Sequence, residues 1–195
     1  MKPQLPVIRK SVFENLLPYV MNKFFVWCFV FLPGISNAAV TVTPAANGTC
    51  LQVTPGVFSS IGTITITEGA TNDFASPQTN VTLILTAPAN FEFNPGVGTV
   101  SYTAGRNISF ASVAVTSTTV TVTLSVSGTN RIDNLYINNL QMRGLTAMAS
   151  GQILRTLSGG TAAITGNNPG AGVNHGTLTS NAGGATFTSI ANGNW

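Results

Sequence analysis

The stretch Val120-Thr121-Val122-Thr123-Leu124-Ser125-Val126-Ser127 alternates apolar and hydroxyl side chains without a break. Successive side chains of a β-strand point to opposite faces, so this order puts Val120, Val122, Leu124 and Val126 on one face and the hydroxyls on the other. A strand with one face in a core and one in water is the mark of an antiparallel sheet.

The same period of two recurs on both sides of this stretch. Thr63 to Thr67 places Ile64 and Ile66 inward, and Val81 to Thr86 places Val81, Leu83 and Leu85 inward with Ile84 opposite. Val97 to Tyr102, Ile108 to Val115, Asn134 to Met142 and Gln152 to Leu157 are further strands, with Val40 to Thr43 and Leu51 to Val53 at the edges. Between them lie turn formers such as Pro88-Ala89-Asn90, Asn94-Pro95-Gly96 and Ser127-Gly128-Thr129-Asn130. Short strands at this spacing, with no helical stretch after the first 38 residues, predict an all-β fold: an antiparallel β-sandwich over residues 39–158. From Gly159 onward the composition shifts to Gly, Asn, Ala and Thr, which reads as terminal strands or a linker over 159–195.

The first 38 residues read as a secretory signal. Phe24 to Leu32 (FFVWCFVFL) is an unbroken apolar run, preceded by Lys23 and followed by Pro33-Gly34 and the small residues Ser36, Ala38 and Ala39. At about 1.5 Å per residue the run spans less than half of a roughly 30 Å hydrocarbon core, so a permanent transmembrane helix is not expected. Cleavage is expected after Ala38, with Ala39 as the fallback. Met21 reads as the initiator of a compact signal, and an extended leader from Met1 is the alternative.

The leader also accounts for the basic character of the chain. Lys2, Arg9, Lys10 and Lys23 lie within it, leaving four arginines (Arg106, Arg131, Arg143, Arg155) against four acids (Glu68, Asp73, Glu92, Asp133) beyond residue 38. The exported part carries no net charge and no lysine, and this excludes a cationic footprint for nucleic acid or anionic lipid. Thr, Ser and Asn supply its polarity.

Motifs for chemistry are absent. The sequence has no Gly-x-Ser-x-Gly elbow and no phosphate-cradling glycine loop. His175 is the single histidine, in an Asn174-His175-Gly176 context that reads as a turn, and no acid follows Asp133 to orient it as a general base. Cys28 leaves with the signal, so Cys50 stands alone, too far from the cleavage site for a lipid anchor; a buried thiol or a partner beyond this sequence is expected. One His and one Cys cannot furnish a zinc site. Glu68, Asn72 and Asp73, in the loop from Thr67 to Gln78, are the candidate oxygen ligands for calcium, set against a loop whose Asn and Asp serve turn geometry. Asp133, beside Arg131 and Asn134, is expected to stabilise a turn. Carbohydrate binding would use exposed aromatics. The exported part has one tryptophan, Trp195, and two tyrosines, Tyr102 and Tyr136, while Phe91 and Phe93 share a strand face and read as core, so the sequence shows no such platform.

Three stretches together carry a family resemblance: Ile64-Thr65-Ile66-Thr67-Glu68-Gly69, the run from Leu85 to Gly98 (LTAPANFEFNPGVG), and Asn134 to Gly144. They resemble the Ig-like or cohesin-like β-sandwich modules of very large secreted, adhesin-like proteins of Bacteroidetes, many exported by the type IX pathway. The resemblance covers Val40 to Thr179 and implies a module type and no activity. Phe187 to Trp195, ending in Asn192-Gly193-Asn194-Trp195, resembles the opening of a following module, which implies a piece of a longer protein. The expected function is a non-enzymatic structural or adhesive module of a secreted or cell-surface protein, meeting protein or glycan partners through its loops. The alternative is the carbohydrate-binding module of an exported hydrolase.

Overall fold

Residues 39–182 are described by a computed structural model, and among them the fold is all-β, without a helix. In chain order the strands are β1 (Thr41–Thr43), β2 (Ser59–Ser60), β3 (Ile64–Thr67), β4 (Gln78–Thr86), β5 (Phe91–Phe93), β6 (Thr99–Tyr102), β7 (Ile108–Val115), β8 (Thr119–Val126), β9 (Asn134–Asn138), β10 (Gln141–Gly144), β11 (Ser150–Leu154) and β12 (Asn174–Thr179). They form a five-stranded sheet in the order β12-β11-β4-β8-β7, a four-stranded sheet in the order β1-β3-β9-β6, and a small sheet β2-β10-β5. Every strand pairing within the sheets is antiparallel.

β8 has the alternation read from its sequence: Val120, Val122, Leu124 and Val126 are buried and the hydroxyl residues between them are half-buried. Its register carries that face across the sheet, with Val122 opposite Leu83 of β4 and Val113 of β7, and Val120 opposite Leu85 and Val115. The four-stranded sheet answers with Ile137 paired to Ile64 on one side and Val100 on the other, and Leu135 paired likewise to Ile66 and Tyr102. These inward rows belong to one core cluster, as expected for sheets packed face to face. Each fully buried Leu, Ile or Val contributes roughly 1.5–3 kcal/mol through removal of apolar surface from water.

Several local expectations are corrected. Asn134 to Met142 is two strands in two sheets. Asn139 between them has φ 56, a left-handed conformation that Asn tolerates, and the extra position lets Ile137 and Leu140 both face inward across the break. Leu51 to Val53 is no strand. Leu51 makes an isolated parallel bridge to Ser180, as Ala45 does to Gly176, and residues 45–51 thereby cover the outer edge of β12. His175 lies in β12, not in a turn.

The Gly-rich segment after residue 158 contributes to the core. Ala162, Ile164 and Leu178 are buried in the main cluster, and β12 pairs with β11 from Ser150 opposite Thr179 to Leu154 opposite Asn174. Past the end of β11 the chain runs beside β4, with the Ile84 N–H donating to the Gly159 carbonyl and the Ala162 N–H to that of Thr82. Gly160 has φ 84, and a Cβ there would lie 2.2 Å from the Thr82 carbonyl oxygen, so the approach needs glycine. The leader, its cleavage site at Ala38 and the stretch from Phe187 to Trp195 fall outside the described residues. Among the described residues no helix is long and apolar enough to cross a membrane.

Candidate functional site

The calcium candidates lie at one end of the sandwich, where they accept backbone hydrogen bonds. Glu68 Oε1 accepts from the Phe74 N–H (2.7 Å) and Oε2 from the Asp133 N–H (2.8 Å). Asp73 Oδ2 accepts from the N–H groups of Gly69 (2.9 Å) and Ala70 (2.8 Å), and Asn72 Oδ1 accepts from Ser76 (3.0 Å). Asp133 Oδ1 accepts from Asn107 (2.9 Å) and Ile108 (3.0 Å), while the Asn107 amide donates to the Arg131 carbonyl. Buried loop N–H groups need acceptors where water does not reach, and Glu68 and Asp133 supply them to Phe74, Asp133, Asn107 and Ile108. Asp133 thus ties the start of β7 to the start of β9, and Glu68 ties the following loop to both.

Among the described residues no group of three or more His, Cys, Asp or Glu is placed to hold a metal ion. Glu68, Asp73 and Asp133 are nonetheless all buried, and Asp133 Oδ2 has no hydrogen-bond partner. Burial raises the Glu68 carboxyl above its ordinary value, helped by the neighbouring Asp133 and Asp73 carboxylates and opposed by the N–H groups of Phe74 and Asp133.

A second buried polar cluster joins β11, β12 and the connection between them. Arg155 is 1 % exposed. Its guanidinium donates to the carbonyls of Gly159, Gly160, Ala162 and Asn167, so it gathers a loop whose acceptors would otherwise be orphaned. The Asn167 amide meets His175 Nε2 at 3.1 Å, and His175 Nδ1 meets the Val173 carbonyl at 2.9 Å. A ring that donates from Nδ1 and accepts at Nε2 fits both contacts, and that is the neutral imidazole. Burial pushes the His175 pKa down to about 4, with the Arg155 charge lowering it further and the Val173 and Ile153 carbonyls opposing. Burial also lowers the Arg155 pKa. His175 is wholly buried, so its contribution is to packing and hydrogen bonding. Neither Arg155 nor Asn167 carries a sequence signal, because their partners are backbone carbonyls and one distant ring.

Cys50 corrects the expectation of burial. It is exposed, a free thiol with φ 56, and its N–H donates to Thr179 Oγ1. Phe91 and Phe93 are core residues. The Tyr102 hydroxyl donates to the Ser109 carbonyl, and its ring packs on the core.

Tyr136 is placed differently. Because Leu135 and Ile137 point inward, it stands on the outer face of the four-stranded sheet, in a cross-strand row with Thr43, Thr65 and Ser101. The row on one side holds Thr41, Thr67 and Asn134, and on the other Thr63 and Asn138 reach Thr99. Thr63 Oγ1 donates to Asn138 Oδ1 (2.9 Å), and Asn138 Nδ2 donates to Ser101 Oγ (3.2 Å). This face is a grid of hydroxyls and amides around one half-buried aromatic ring, and no charged side chain stands on it. No family profile, curated protein or solved structure matches the chain.

Proposed function

We propose that this chain is a non-enzymatic structural or adhesive module of a secreted or cell-surface bacterial protein. The observation that carries the reading is how the side chains are used. Glu68, Asp73, Asp133 and His175, groups suited to acid–base chemistry, are spent on buried backbone and loop contacts, Arg155 gathers loop carbonyls and Glu92 pairs with Arg143, while the sheets present Thr, Ser, Asn and Tyr to solvent. A surface that keeps its solubility through hydroxyls and amides suits repeated contact with other macromolecules without non-specific attraction to polyanions. The signal-like first 38 residues supply export, and the resemblance to modules of adhesin-like proteins agrees with both points.

Cell fractionation and bead adhesion test this. Expression in a bacterial host should place the chain outside the inner membrane with a mature N-terminus at Ala39 or Val40 by mass spectrometry, and beads coated with the exported protein should adhere to cells or matrix material. Retention in the cytoplasm with Phe24 to Leu32 intact, or beads that bind no surface, would overturn the reading.

A further inference from the structure

We infer that the outer face of the four-stranded sheet is a binding surface for a neutral glycan, with the Tyr136 ring as its stacking platform. The inference rests on the adhesive reading above and names the ligand class of that module. Strands lie about 4.8 Å apart and alternate residues about 6.7 Å apart, so the grid around Tyr136 covers roughly 14 Å by 13 Å, the footprint of a short oligosaccharide. The ring is half-buried on this face, and its cross-strand neighbours are the small hydroxyl residues Thr65 and Ser101. The Tyr136 hydroxyl makes no hydrogen bond with other described residues, which leaves the polar tip of this side chain for a ligand beside the exposed part of its ring.

Chemistry selects the occupant. A sugar ring pairs an apolar C–H face with peripheral hydroxyls, and here one aromatic is ringed by Thr43, Thr65, Ser101, Asn134 and Asn138. A protein interface centres on a buried apolar core with aromatic or arginine anchors, and this face offers one aromatic and no arginine. An acidic polysaccharide would find no cation on it, so the ligand is uncharged. Part of the polar set is already ordered: Asn138 is held between Thr63 and Ser101, and Asn139 Nδ2 donates to Thr99 Oγ1 (3.2 Å), which reduces the entropy lost on binding. The five-stranded sheet is less suited. On its outer face Thr82 and Thr86 are engaged with Thr161 and Thr156, and its one large exposed apolar side chain, Phe110, sits on the edge strand β7.

The test is affinity electrophoresis of the exported full chain through gels containing a soluble β-glucan, a xylan or a mannan, with alginate as the acidic control. At least one neutral polymer should retard the wild type, and Tyr136→Ala should weaken that affinity about tenfold, in line with the loss of one aromatic contact. Ser101→Asp, an exposed change that adds charge beside the ring and leaves the core alone, should also weaken it and keeps the test valid should Tyr136→Ala unfold. Thr121→Ala, on the opposite sheet, should bind as wild type. No retardation by any neutral polymer, retardation by alginate alone, or equal retardation of the wild type, Tyr136→Ala and Ser101→Asp would overturn the inference. Beads that adhere to cells while no neutral polymer retards the chain would sink the glycan face and leave the adhesive module standing; failure of both would sink both.

Discussion

Lowering the pH tests the buried His175 cluster with one residue as perturbation and reporter, because the sequence holds a single histidine. The folded pKa is about 4, against 6.5 for the ordinary group. Acidification therefore protonates the unfolded chain first. The unfolded state binds the extra proton between these two values, so stability falls as pH drops from 6.5 towards 4 and this contribution levels off below 4. At about 1.4 kcal/mol per pKa unit the shift corresponds to about 3 kcal/mol. The carbon-bound ring protons of His175, followed by NMR in the native protein, should not titrate until the pH nears 4. Urea melts at pH 7 and pH 4 should differ by about 3 kcal/mol more for the wild type than for His175→Gln, since every other titrating group is common to both. A native ring that titrates near 6.5, or a pH dependence unchanged in His175→Gln, would refute the argument that burial beside Arg155 keeps this imidazole neutral.

Leu124→Ala should cost about 2–5 kcal/mol in denaturant melts, because its side chain is fully buried, whereas Thr123→Ala on the other face should cost less than about 1 kcal/mol; equal losses would mean that the inward face of β8 is misassigned. Glu68→Ala leaves the buried N–H groups of Phe74 and Asp133 without acceptors and should destabilise by about 2–4 kcal/mol, with faster amide exchange across residues 69–76 as the local readout. Because the folded Glu68 pKa is raised, its linkage runs opposite to that of His175. Its contribution is fully present below 4.5 and is lost as pH rises through the folded value, a trend that the Glu68→Ala melts should lack. Millimolar calcium should leave the melting temperature of the exported chain unchanged, since the candidate ligands Glu68, Asn72 and Asp73 already accept backbone hydrogen bonds; a rise reversed by a chelator would contradict that account.

The sequence alone determined the class of fold and the inward face of its main strands. Period two is a local property, and in Val120 to Val126, Ile64 to Thr67 and Val81 to Thr86 it survives into the sheets because one side of each strand meets the core and the other meets water. The outward position of Tyr136 was legible in the same way, from Leu135 and Ile137 on either side of it. Tertiary structure decided what depends on partners far along the chain. The break at Asn139 shows only where β9 and β10 join different sheets, and the burial of Ala162 and Ile164 in a Gly-rich segment follows from the strand β4 beside them. The sequence placed Glu68 and Asp73 in a loop, but their partners are backbone N–H groups, which every residue but proline carries and no side-chain pattern announces. His175 was misread as a turn residue because Asn and Gly flank it. Its place in β12 depends on β11 pairing along one side, residues 45–51 covering the other, and Asn167 reaching its ring, none of which is local to the chain.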